Sequence, residues 1–174
     1  MSSSRPGPLL RTLLRLPSRL YDWNAGWLLG HRFLRLTHVG RRSGRRYRTV
    51  LEVLGIDPVT GEVMVLSGFG RNADWHRNLE AGDGTAEIEI GRSRFRARYR
   101  DLDTDQAAAV LEAYERRNRL LVPIVRRVLG RLLGRPYDGS DAARRDLVRT
   151  LPVVAFTPER ARPDAGGPQA SSAS

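Results

Sequence analysis

Five arginines crowd eight positions within the stretch HVGRRSGRRYRTVLEV, residues 38–53: Arg41, Arg42, Arg45, Arg46 and Arg48, set around Ser43 and Gly44. A glycine-bounded turn exposes backbone N–H groups, and guanidinium forks bind phosphate or carboxylate in bidentate fashion, so this loop has the chemistry of an anion site. A solvated hairpin tip with scattered charges would use the same residues. The balance shifts with a second glycine-rich stretch, SGFGRNADWHRN at 67–78, which passes Gly68, Phe69 and Gly70 and enters a short helical pattern. Backbone amides opening a helix favour an anion as well.

Other chemistries are excluded by residue type or spacing. There is no cysteine, so disulfides, thiolate metal ligands and cysteine nucleophiles are absent. His31, His38 and His76 have no metal-ligand spacing to one another, and no metal site is expected. No G-x-G-x-x-G follows a strand, no G-x-x-x-x-G-K-[ST] occurs, and no G-x-S-x-G elbow presents a serine nucleophile. The formal net charge is +11, and it is uneven: residues 1–50 hold 11 arginines against the single acid Asp22, while the rest holds 19 arginines against 18 acids. Such a field recruits phosphate, polycarboxylate, nucleic acid or an anionic membrane. No helix-turn-helix, RRM-like aromatic motif or zinc finger is visible, so a nucleic-acid partner is not expected.

The elements that must position these loops follow from periodicity. RFLRLTHV and YRTVLEVLGI alternate around the 40–44 turn as a hairpin, and EVMVLS (62–67) forms a third strand. Asn72 or Asp74 is expected to cap a short helix that Gly82 ends. TAEIEIGRSRFRARYRDL reads as a second hairpin. Three helical pieces follow: TDQAAAVLEAYERR capped by Thr104, VPIVRRVLGRLLG with Pro123 near its start, and SDAARRDLVRT capped by Ser140. LPVVAFTP closes the chain's ordered part as a strand. About six antiparallel strands with late helices predict a small β-barrel carrying helices, an α+β arrangement and not a doubly wound sheet. On residue type alone, Trp75 suits a core aromatic better than a stacking platform, and Tyr114 suits a core or a substrate-facing position equally.

The segments THVGRRSGRRYRT (37–49), LSGFGRNADWHRNLEAG (66–82), the EIEIGRSRFRARYRDL hairpin and the closing LPVVAFTP together resemble the deazaflavin (coenzyme F420)-dependent nitroreductase family, over residues 32–158. The resemblance implies a split β-barrel, of the flavin-reductase and pyridoxamine-oxidase kind, binding a deazaflavin whose tail is a phosphate followed by glutamates. It implies that Arg41, Arg42, Ser43 and Arg48 meet that tail. Ser67, Gly68, Phe69 and Gly70 then run along the cofactor, with Trp75 and Asn78 framing its pocket. One residue more than the common SG-x-P-R form stands in SGRRYR, which leaves Arg46 and Arg48 as alternatives for the last contact. Tyr114 is the one tyrosine left in EAYERRNRLL, where better-known members cluster several to protonate the substrate; Tyr137 is a candidate replacement. The implied activity is hydride transfer from the reduced cofactor to an electron-poor small molecule such as a quinone or nitro compound. An FMN- or haem-binding split barrel, or a cofactor carrier, is the alternative. Related split barrels are often dimers, so a homodimer is expected.

Three segments frame this domain, which spans 31–158. Residues 1–8 and 159–174 are rich in Ser, Gly, Pro and Ala and read as disordered tails. Residues 9–30, LLRTLLRLPSRLYDWNAGWLLG, place leucines at helical spacing with Arg11, Arg15 and Arg19 between them and Trp23 and Trp27 four apart. The segment is too charged to span a bilayer. It suits the surface of an anionic membrane or the flank of its own domain, so a cytoplasmic protein is expected, peripheral at the inner face of the cell membrane in the first case.

Overall fold

Six strands and four helices make up the computed structural model, which describes residues 31–159. The expected tails and the 9–30 segment lie outside the described residues. In chain order the elements are β1 (Phe33–Val39), β2 (Arg46–Ile56), β3 (Val63–Leu66), α1 (Asp74–Glu80), β4 (Thr85–Ile90), β5 (Ser93–Asp101), α2 (Thr104–Arg117), α3 (Val122–Leu133), α4 (Asp141–Thr150) and β6 (Val153–Pro158). The strands close into an antiparallel barrel in the order β1-β2-β3-β6-β5-β4, with β4 pairing back onto β1. Closure leaves no sheet edge unpaired.

Strand alternation divides the apolar residues into two cores. Leu34 and Leu36 of β1, Val63 and Val65 of β3, Ile88 and Ile90 of β4, Ala97 of β5 and Val154 and Phe156 of β6 fill the barrel. Trp75 and Leu79 of α1 complete that core from one end. Leu54, Met64, Leu66 and Val153 point outward instead, and meet Leu111 and Tyr114 of α2, Leu129 and Leu132 of α3 and Leu147 of α4. The helices thus cover one flank of the barrel over a second apolar layer. None of the helices among the described residues is long and apolar enough to cross a membrane.

Two expected caps are corrected by the geometry. The N-cap of α1 is Ala73, and neither Asn72 nor Asp74 caps that helix through its side chain. At α2 the cap is Asp103 rather than Thr104: the Asp103 carboxylate accepts from Gln106 N at 2.8 Å. A carboxylate and a hydroxyl side by side both satisfy the capping pattern, and the chain enters the helix one residue earlier, where a full negative charge also faces the helix dipole. Ser140 caps α4 as expected, accepting from Ala143 N.

Candidate functional site

The arginine loop is the turn between β1 and β2, and its shape is held from outside. Gly40 N donates to Arg45 O and Gly44 N to Gly40 O, while Gly44 turns the chain at φ 65°. The Tyr47 ring lies so close over Gly40 that a β-carbon there would come within 2.5 Å of it. The Tyr47 hydroxyl is 3.0 Å from Ser43 Oγ, which therefore braces the turn. From α1, Asn78 accepts two hydrogen bonds from Arg41, one from the backbone N at 3.1 Å and one from the guanidinium at 2.8 Å. Asp74 accepts two more from the same guanidinium, each at 3.2 Å.

Beneath the loop lies a buried polar chain. Asn78 Nδ2 donates to His38 Nδ1 at 3.0 Å, because its Oδ1 is occupied by Arg41. His38 is thereby the neutral Nε2–H tautomer, with Thr49 Oγ1 3.4 Å from Nε2. Burial pushes its pKa below the ordinary 6.5, opposed more weakly by the Asp74 carboxylate.

The outer face of β2 carries the rest. Leu36 faces Thr49 across the ladder and Leu34 faces Leu51, so those side chains turn inward, and Arg46, Arg48, Val50 and Glu52 turn outward. Arg46 is committed to Glu87 at 2.6 Å. Arg42, Arg45 and Arg48 are exposed, and their side chains have no ion pair or hydrogen bond among the described residues. At the other end of this face Tyr114 donates to Glu52 Oε1 at 2.6 Å, and Glu52 is 41% exposed. Four residues of extended chain separate Arg48 from Glu52, about 13 Å. Tyr114 itself is buried, and burial together with Glu52 raises its pKa well above that of a free phenol.

The 67–70 turn is self-contained. Ser67 Oγ donates to Gly70 O at 2.7 Å, Ser67 N to Pro152 O, and Gly70 N to Ser67 O, so the serine is buried and used internally. Gly70, at φ 65°, approaches Thr150 O so closely that a β-carbon would sit 3.0 Å away. Gly68 faces Leu132 of α3, and Phe69 stands 58% exposed at the tip.

The structure thus brings Arg41, Ser43 and Asn78 together as one braced unit, and sets Arg42 and Arg48 beside it as exposed cations. It places Trp75 in the barrel core, its ring centroid 6.3 Å from Phe156. Tyr137 is buried in the outer core beside the Glu115 carboxylate, with burial and that carboxylate raising its pKa. Sequence reasoning missed Tyr47, Asp74, His38 and Glu52. Tyr47 and His38 carried a usable signal, since they face each other across the hairpin two residues from its turn.

The donor set fits a polyanionic cofactor tail: three exposed guanidiniums without partners among the described residues flank a turn whose conformation is already braced. The chain has no match among the curated proteins. Among solved structures it is similar to an F420-H2 dependent reductase (FDR-A), at 14% identity and TM-score 0.49, covering 73% of this chain and 95% of that one. It is also similar to a pyridoxamine 5'-phosphate oxidase-related, FMN binding protein from Nostoc punctiforme, at 13% identity and TM-score 0.45, covering 90% and 82%. Another is a Clostridium acetobutylicum protein of the pyridoxinephosphate oxidase family, at 9% identity and TM-score 0.46, covering 82% and 85%. Residues 13–120 match the family described as F420H(2)-dependent quinone reductase, and on that match the chain belongs to this family of oxidoreductases, whose cofactor is coenzyme F420.

Proposed function

We propose that the outer face of β2 and the 40–46 loop are where this chain holds coenzyme F420 for reduction of a quinone or similar electron-poor acceptor. The observation that carries this reading is the pair of ends on one strand face, Arg48 with the exposed loop cations at one and the Glu52–Tyr114 pair at the other. Arg42 and Arg48 grip the phosphate and glutamates of the tail. Arg41, Ser43 and Asn78 act by holding the loop in shape, through Asp74, Tyr47 and His38. Ser67 fixes the turn so that the Gly68–Gly70 backbone and Phe69 line the cofactor, and Trp75 supports α1 from the core. Of the two alternatives for the last arginine contact, Arg48 is favoured, because Arg46 is already paired with Glu87, which it shares with Arg94, while Arg48 has no ion pair among the described residues.

When bound, the reduced deazaflavin supplies a hydride, so the protein needs no nucleophile of its own. Its task is to orient and to manage a proton. Tyr114 keeps its proton and, together with Arg32 at 3.5 Å, holds the Glu52 carboxylate in place; Glu52, the exposed member of the pair, takes a proton from solvent water and passes it toward the acceptor. For the whole protein we propose a cytoplasmic homodimer that residues 9–30 attach to an anionic membrane, within reach of a lipid-soluble quinone. Sedimentation velocity reads the first, and the fall in vesicle affinity when that segment is removed from the chain reads the second.

Titration of the protein with coenzyme F420, followed by its fluorescence and run beside FMN and haem, tests the cofactor site. Arg48→Ala and Arg42→Ala are each expected to weaken binding by about 1.5–3 kcal/mol, and Arg46→Ala by much less. Tighter binding of FMN than of coenzyme F420, or an equal loss from Arg46→Ala, would overturn the assignment.

A further inference from the structure

Residues 116–137 contain seven arginines and no acidic residue. The near-neutral balance of the chain beyond residue 50 conceals this, because the compensating carboxylates lie on other elements. Three of the seven are engaged: Arg117 donates to Leu54 O, Arg126 lies 3.9 Å from Glu115, and Arg135 pairs with Asp146. Arg116, Arg119, Arg127 and Arg131 are exposed and have no ion pair among the described residues.

Helix α3 shows which way this charge faces. Its inner side is fixed by Leu129, buried in the outer core, and by Val125 and Leu132 packed against that core. On the opposite side Leu120 is 96% exposed and Ile124 63%, with Pro123 exposed between them. At helical spacing the same stripe continues into Arg127 and Arg131. One face of the molecule therefore carries an apolar tip and a basic flank, outside the cofactor site proposed above.

We propose that this stripe is a docking surface for an anionic lipid membrane. Leu120, Pro123 and Ile124 enter the boundary between headgroups and acyl chains, and Arg127 and Arg131 of the same stripe, with Arg119 next to Leu120, meet lipid phosphates. Charge complementarity selects this occupant. A second copy of the same stripe would oppose arginine to arginine with no acid between them. Segment 9–30 brings three arginines against the single acid Asp22, so its charge does not complement this face. Nucleic acid would engage the arginines but has no apolar partner for the exposed Leu120 and Ile124 side chains. The surface is distinct from residues 9–30, and it rests on none of the residues assigned to the cofactor.

Co-sedimentation of the full chain with vesicles tests it, using phosphatidylglycerol mixed with phosphatidylcholine beside phosphatidylcholine alone. The wild type is expected to bind the anionic vesicles and not the neutral ones. Arg127→Gln with Arg131→Gln should weaken that binding about 25-fold, at about fivefold for each basic side chain near the surface. Leu120→Glu with Ile124→Glu should weaken it about tenfold or more. Melting temperature and coenzyme F420 titration of the same variants should be unchanged, which separates this surface from the cofactor site. Should the glutamate pair melt early, Leu120→Ser replaces it, and a loss of vesicle binding is again expected. The proposal fails if the wild type ignores anionic vesicles or binds neutral ones as well, or if the variants bind as the wild type does. It also fails if duplex DNA displaces the vesicles and the leucine and isoleucine substitutions leave both interactions intact.

Discussion

His38 and Glu52 do at single positions what the arginines alone could not. His38 is buried under the arginine loop as a neutral acceptor for Asn78, and protonation would turn that acceptor into a donor facing another donor. Because burial holds its pKa below 6.5, the unfolded chain takes up the proton first as the pH falls. Its contribution to stability is therefore complete above 6.5 and is lost as the pH drops through 6.5 toward the lowered folded value. Denaturant midpoints measured between about pH 7 and pH 5.5 should fall with acidification in the wild type, and the fall should be smaller in His38→Gln, which keeps an acceptor and cannot titrate in this range. At Glu52 the expectation is kinetic. Glu52→Gln should slow acceptor reduction by about 10²-fold with cofactor affinity intact, and Tyr114→Phe should slow it less, since the phenol acts through the carboxylate. Equal affinity loss in both variants would place the pair at the cofactor rather than at the proton.

The short helix α1 ties the hairpin to the barrel. Its inner face gives Trp75 and Leu79 to the core, and its outer face gives Asp74 and Asn78 to Arg41. Loop shape is thus inherited from core packing, so receiving an anion would order the exposed arginine side chains but not the turn that presents them. At α2 the correction from Thr104 to Asp103 is directly measurable. Asp103→Ala should cost about 1 kcal/mol in chemical denaturation, whereas Thr104→Ala should stay within about 0.5 kcal/mol.

Across the whole molecule two apolar layers meet at the barrel wall, and the second contains a buried ion pair. Glu115 is 4% exposed and lies 3.0 Å from Arg144, linking α2 to α4. Trp75 is the largest side chain that α1 contributes to the inner layer. Trp75→Ala should destabilise the fold by about 3–5 kcal/mol, read from the denaturation midpoint, and Trp75→Phe by much less. A loss of cofactor affinity in Trp75→Phe with full stability would instead assign the indole to the cofactor.

The hairpins, the late helices and the arginine-rich loop were all legible in the sequence, because strand alternation, helical period and a run of arginines around glycine are local properties of the chain. Antiparallel barrel architecture followed from their order. Which arginine remains available was decided only by the tertiary structure: Arg46 and Arg48 share a strand face and a residue type, and differ because closure of β4 onto β1 brings Glu87 to one of them. In the same way Asn78 meets His38 and Arg41 across 40 and 37 positions of chain, and Glu52 meets Tyr114 across 62. The charge of residues 116–137 was written in the sequence, yet the exposure of Arg127 and Arg131 on one side of α3 came from Leu129, with Val125 and Leu132, packing the other side into the outer core. Periodicity follows from backbone geometry, but the pairing of polar groups depends on which faces the closed barrel brings into contact, and that is a property of the packed whole.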